Sequence, residues 1–225
     1  MKSLSVSVIK GIAAKHNSRL GLTLATLALL LQAPVADAEW LGDARPLMGT
    51  EVSVYLWSDD PDLGKQALED VFAEAARIDR LMSTYKDESE ISKINRLAAK
   101  QPVVCGDVLF QLVRRSLDIS VLTLGAFDIT YDSVGQHYDF RSRQRPDTDT
   151  LASERENIDY RLVELDQASR SIACLKEGVR IKLGGIAKGY VVERGIDILR
   201  RQGLRHAIVT AGGDSRLLGD RRGRP

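Results

Sequence analysis

Cysteine is scarce in this chain: Cys105 and Cys174 are the two among 225 residues, and neither sits in a metal-ligand spacing. One pair cannot be a disulfide scaffold, so two buried or free thiols is the default and pairing stays open. Charge of one sign is missing as well. With 32 basic and 31 acidic residues the formal charge is +1, so no general basic field points to nucleic acid. Arg141, Arg143 and Arg145 form a local basic loop of the kind usually solvated. The apolar run Leu20–Leu31 has 12 residues, short of the roughly 20 that a membrane span needs. No internal repeat or low-complexity segment occurs. Neither G-x-G-x-x-G nor a Walker loop is present, because Gly189 rather than Ser or Thr follows Lys188.

The ends read differently from the middle. Lys2, Lys10, Lys15 and Arg19 make a basic n-region before Leu20–Leu31, and Ala36-Asp37-Ala38 is a small-x-small cleavage site. Residues 1–38 therefore read as a signal peptide and 39–225 as one exported domain, long enough for a real core. A short membrane anchor is the alternative. No cysteine near the cleavage site supports a lipid anchor. The expected location is the periplasm, associated with the inner membrane at most. At the other end, Arg216–Pro225 reads as a strand entering a hairpin turn without its partner, so an incomplete C-terminus is expected.

Between them the pattern is α+β, with mixed sheets packed against helices. Thr50–Trp57 alternates as a strand. Asp60-Pro61-Asp62 opens a helix to about Met82, with Leu68, Val71, Phe72, Ala75, Ile78 and Met82 on one stripe. Ser89 caps a short helix through Asn95. Asp107 is expected to cap another, carrying Leu109, Leu112, Val113, Leu117 and Leu124. Tyr131 to about Asn157 reads as a long surface loop. Arg161–Leu165, Ser171–Leu175 and Val179–Leu183 read as a β-meander, Tyr190–Arg201 as a helix and His206–Thr210 as a strand.

Chemistry concentrates at Gly184-Gly185-Ile186-Ala187-Lys188-Gly189-Tyr190 and at Ala211-Gly212-Gly213-Asp214. Bare amides at a helix entry, with a lysine, suit a phosphate or pyrophosphate through unpaired N–H groups and the helix dipole. Glycine is equally the ordinary residue wherever φ must be positive, so on glycines alone both readings stand.

Four segments in order resemble one family. They are Leu47-Met48-Gly49-Thr50; Leu81-Met82-Ser83-Thr84-Tyr85-Lys86 with Ser89-Glu90-Ile91-Ser92; Gly125-Ala126-Phe127-Asp128; and Gly184–Tyr190 with Gly212-Gly213-Asp214. Together they resemble the FAD:protein FMN transferases, the ApbE family, from about Leu47 onward. The resemblance implies a T-fold-like α+β architecture and an exported, magnesium-dependent enzyme. It would split FAD at its pyrophosphate, attach FMN through a phosphoester to a threonine of a target protein, and release AMP. Targets are typically subunits of membrane-associated redox complexes. The same resemblance puts Met48, Tyr85, Ala126, Phe127, Asp128, Lys182 and Lys188 at FAD-contacting positions, and makes the Gly185 carbonyl a magnesium ligand. Tyr85 and Phe127 would pack on the rings.

Ordinary roles stay open for each: core filler for Met48, a helix end for Tyr85, a buried anchor for Phe127, a local cap for Asp128, a solvated face for Lys188. Two departures stand out. Lys182 occupies a position that is usually aspartate in the family, and Ile129 one where proline is common. The family's later His-x-x-Asp-Pro-x-x-Gly stretch and downstream metal ligands have no counterpart before Pro225. A flavin-binding remnant without catalysis, or an FAD pyrophosphatase giving FMN and AMP, are the alternatives.

Overall fold

A computed structural model describes residues 38–138 and 142–220. Residues 1–37 of the expected signal peptide, Arg141 of the basic loop and residues 221–225 of the expected terminal turn lie outside them.

The unit that begins at Glu39 is built on a four-stranded antiparallel sheet. Strand β1 (Glu39–Leu47) pairs with β2 (Thr50–Ser58) through to Leu47 opposite Thr50, leaving Met48-Gly49 as a two-residue turn. Both turn residues have positive φ, 56° and 70°, as a tight hairpin with right-handed strand twist requires. β1 is an addition to the sequence reading. Its residues are half-buried or exposed, so no apolar alternation marks it. In β2 the alternation is plain, with Val52, Val54 and Leu56 fully buried.

The helix α1 (Pro61–Met82) carries the expected stripe, with Gly64 and Ala67 added to it. The Asp60 side chain accepts from the amides of Asp62 (2.9 Å) and Leu63 (3.2 Å), and proline stands in the first turn, where its missing N–H costs nothing. α2 (Glu90–Leu97) starts at Ser89, whose hydroxyl accepts from Ser92 N at 3.1 Å. Next come β3 (Val103–Val104) and α3 (Asp107–Leu122). Asp107 does not cap α3. Gly106 holds the cap position without a side-chain bond, and its amide donates to Glu90 Oε2 at 2.8 Å. Leu124 falls beyond the helix with φ 53° and is 92% exposed, so it is not on the buried stripe.

The stretch from Tyr131 to Asn157 is not one long loop. It contains α4 (Asp132–Gly135), α5 (Thr148–Glu154) and a 3-10 turn at Arg155–Asn157, and it buries Asp132, Ser133 and Asn157. Buried polar residues left no apolar period to find. β4 (Val163–Asp166) and β5 (Ser171–Cys174) then make a second, three-stranded antiparallel sheet in the order β3-β5-β4. The thiols do not pair. Both are free and buried, and the amide of Cys105 bonds Arg170 O at the opposite end of β5 from Cys174. Four residues of strand span about 13 Å, beyond the ~7 Å Cα limit of a disulfide.

Val179–Leu183 joins no sheet. Its backbone is held instead by side chains and a loop. Arg180 N donates to Ser133 Oγ (3.0 Å) and Ile181 N to Asn95 Oδ1 (2.8 Å). Asn95 Nδ2 returns a bond to Ile181 O (3.0 Å), and Lys182 N donates to Ile129 O (2.9 Å). The segment delivers the chain into α6 (Gly184–Arg201), which packs with α1 on the buried face of the large sheet. At Gly195 an added Cβ would stand 3.0 Å from Val71 and 3.1 Å from Val209, so α6, α1 and the sheet meet where no side chain intervenes. β6 (Ala207–Ala211) and β7 (Asp214–Leu218) complete the order β1-β2-β6-β7, joined by the turn Gly212-Gly213.

Two outcomes follow. Asn95→Ala removes both partners of Ile181 and is expected to lower stability by about 2 kcal/mol, read as a shifted denaturant midpoint at unchanged slope; an unshifted midpoint would contradict this anchoring. Burial pushes both thiols up to about 11, so each stays protonated near neutral pH. Maleimide should label neither in the folded protein at pH 8 and both after denaturation; fast labelling of the native protein would show the burial to be wrong.

Candidate functional site

The cleft lies where the Met48-Gly49 turn, the C-terminal end of α1 and the N-terminus of α6 converge. It has a volume of about 150 Å³ and is lined by Met48, Gly49, Asp79, Met82, Ser83, Thr84, Tyr85, Lys182, Gly184, Ala187 and Lys188. Across Met48-Gly49 it continues into a wider hollow of about 770 Å³, which shares Met48, Gly49 and Asp79 and adds Arg45 and Lys86.

Each wall has a local cause. At the N-terminus of α6 no side chain caps the first-turn amides, because Leu183 occupies the cap position. The Lys188 ammonium lies over this end and donates to Gly184 O at 2.8 Å. Its stem runs along the β6–β7 turn. At Gly212 (φ +60°) a Cβ would come within 3.1 Å of Lys188 Cδ and 3.2 Å of Thr50 Oγ1, so glycine serves both the turn and the lysine's path. Met48 is half-buried against the core, with its turn conformation holding it at the rim.

Lys182 is the most elaborately held group of the cleft. Its ammonium stands 3.3 Å from Asp132 Oδ1, an ion-pair contact outside hydrogen-bond alignment. It also donates to the Tyr85 hydroxyl at 3.4 Å and lies 4.9 Å from the centre of that ring. Asp132 is 1% exposed and is shared with Arg180 Nε at 3.4 Å. Burial pulls the lysine down, but the Asp132 carboxylate, Tyr131 and Tyr85 outweigh it and hold Lys182 above its ordinary value. It is a cation at any physiological pH. One carboxylate against two cations leaves surplus positive charge beside the cleft. Asp79 does not cancel it, being paired with Lys86.

The remaining sequence candidates lie apart from the lining. Phe127 backs the helix entry, 3.1 Å from where a Cβ on Gly185 would be, and Ala126 is exposed. Asp128 has both oxygens committed. Oδ1 accepts from Thr130 N (2.8 Å) and Thr130 Oγ1 (2.6 Å), and Oδ2 from Tyr160 N (2.9 Å). It caps the 3-10 turn Ile129–Tyr131 and ties it to the next element. Gly185, the candidate metal position, is in the first turn of α6, not in a loop. Among the described residues no three His, Cys, Asp or Glu gather to hold a metal. The structure thus brings Met48, Tyr85, Lys182 and Lys188 into one cleft and leaves Ala126, Phe127, Asp128 and Gly185 outside its lining. Asp79 and Asp132 were missed. A single acid in a helix end or a polar stretch carries no sequence signal of its own.

Antiparallel sheets backed by two helices, with glycine turns and an uncapped helix entry at one end, define an α+β domain with an anion-suited cleft. A family model described as the ApbE family matches residues 48–225, and the chain belongs to that family. An FAD:protein FMN transferase from Klebsiella pneumoniae is 28% identical over 77% of this chain and 54% of its own length. One from Vibrio cholerae is 29% identical over 85% of the chain and 58% of its own length. In three dimensions the chain is similar to the flavin transferase ApbE from Vibrio cholerae (TM-score 0.75, 25% identity, 84% of this chain and 62% of that one). It is similar as well to the ApbE protein of Thermotoga maritima (TM-score 0.74, 26% identity, 83% and 61%). The chain therefore spans between a half and two thirds of these relatives.

Asp128→Ala should cost about 1–3 kcal/mol of stability through its three orphaned donors. Ligand affinity of the fraction that remains folded should be unchanged. Full stability with lost flavin affinity would instead make Asp128 a ligand contact.

Proposed function

We propose that this chain is the flavin-holding part of an exported FAD:protein FMN transferase that joins FMN to a threonine of a target protein and releases AMP. The observation that carries this reading is the single cleft uniting Met48, Tyr85, Lys182 and Lys188 with the bare N-terminus of α6, in a chain of the ApbE family. A volume of about 150 Å³ is below the roughly 300–1,000 Å³ that encloses a drug-sized ligand. One part of FAD would sit in the cleft and the rest across Met48 in the adjoining hollow.

In the proposed reaction the threonine hydroxyl attacks the phosphorus of the FMN half. The new P–O bond forms as the bond to the AMP oxygen breaks, the electron pair leaves on AMP, and the hydroxyl proton is released. Lys188 and the α6 dipole stabilise negative charge on the diphosphate, and fixed geometry aligns the attack. Phe127 and Ala126 act from behind the helix entry, and Asp128 holds their loop. Magnesium is proposed for the whole protein. The described residues alone do not make its site, since the Gly185 carbonyl is one ligand and a hard cation takes about six oxygens. The partner is a protein bearing the acceptor threonine, proposed as a subunit of a membrane redox complex facing the periplasm; nucleic acid has no place in the scheme. Among the described residues no helix is long and apolar enough to cross a membrane.

The test is to incubate the full-length protein with FAD, magnesium and a threonine-bearing acceptor. The expected product is acceptor heavier by FMN less water, with one AMP per transfer, lost when the threonine becomes alanine. FAD binding without covalent flavin would leave a binding module, and FMN release without acceptor an FAD pyrophosphatase; either would overturn the transferase reading.

A further inference from the structure

Tyr85 is 85% exposed, an unusual setting for an aromatic side chain that lines a cleft. What fixes its ring is Lys182, whose ammonium touches the hydroxyl at 3.4 Å and stands 4.9 Å from the ring centre. Lys182 in turn is fixed by a carboxylate that is almost wholly buried, Asp132, at 3.3 Å, and Arg180 braces that carboxylate from a second side. The order is a buried anchor, a half-buried cation, then an exposed ring. A cation over one face leaves the other face free.

We propose that Lys182 is a positioning residue: seated on Asp132, it holds the Tyr85 ring across the cleft mouth and presents the ring's free face as a preformed stacking platform for the isoalloxazine of the flavin. The proposal rests on the flavin reading above. The energy is of the cation–π kind, and it lowers the ordering cost that a freely rotating surface tyrosine would bring to binding.

The test uses the full-length protein, with riboflavin, FAD and ADP as probes, followed by flavin fluorescence and, for ADP, calorimetry. Lys182→Met should weaken riboflavin and FAD by a similar factor, roughly three- to tenfold, and leave ADP unchanged. Tyr85→Ala should do the same, and the double variant should be no weaker than Tyr85→Ala alone, since the lysine acts through the ring. Lys182→Arg, which keeps a cation over the ring and the pair with Asp132, should bind within about twofold of the parent, which separates positioning from misfolding. A loss confined to FAD and ADP, with riboflavin unaffected, would overturn the proposal in favour of a direct phosphate contact. Additive losses in the double variant, or no loss at all, would overturn it too. Parent protein that binds neither riboflavin nor FAD would remove the flavin reading itself, an outcome distinct from a failure of Lys182.

Discussion

The site hangs from one short segment of backbone that no sheet supports. Val179–Leu183 buries Val179, Ile181 and Leu183, and a period of two then turns Arg180 and Lys182 to the other side. That is why two cations two residues apart converge on one carboxylate, Asp132. The segment's amides have been satisfied by Ser133, Asn95 and Ile129. Each belongs to a different element, so the strip is fixed in three directions at once. Its last residue, Leu183, sets where α6 begins, and with it the direction of the first-turn amides and of Lys188. Core, charge cluster and helix entry are one mechanical object.

Much of the fold was legible because its periods are clean. α1 shows a stripe at 3.6-residue spacing and a cap at Asp60, and β2 alternates without a break. Where reading failed, the failure has a physical form. Val179–Leu183 alternates as a strand does, but alternation reports an extended chain with one buried face and is silent on what accepts its hydrogen bonds. Leu124 fits the helical spacing of α3, yet the helix has already ended. β1 lies half-exposed along its length and offers no contrast to detect. Asp132 sits in a polar stretch whose burial depends wholly on tertiary contacts.

The site was legible differently. Glycines and Lys188 pointed to an anion at a helix entry, and the ordered motifs pointed to the family, while the ion pairing of Lys182 could not be read at all. A pairing between residues 50 positions apart leaves no trace in spacing. Asp128 shows the reverse case. Its place in a motif is plain in the sequence, whereas the bonds its carboxylate accepts from Thr130 and Tyr160, the second 32 positions away, appear only in the fold.

The two glycine turns, Met48-Gly49 and Gly212-Gly213, emerge at the same end of the large sheet, because β2 and β6 run antiparallel with Val52 opposite Ala211. They are even stitched together, Gly212 N donating to Glu51 O at 3.0 Å. Loop length at these tips is thus an adjusting screw. The tips reach the cleft through Met48 and Gly49 and through Gly212 beside Lys188, so a change of tip would be felt at the mouth before it reached Val52, Val54 and Leu56 in the core.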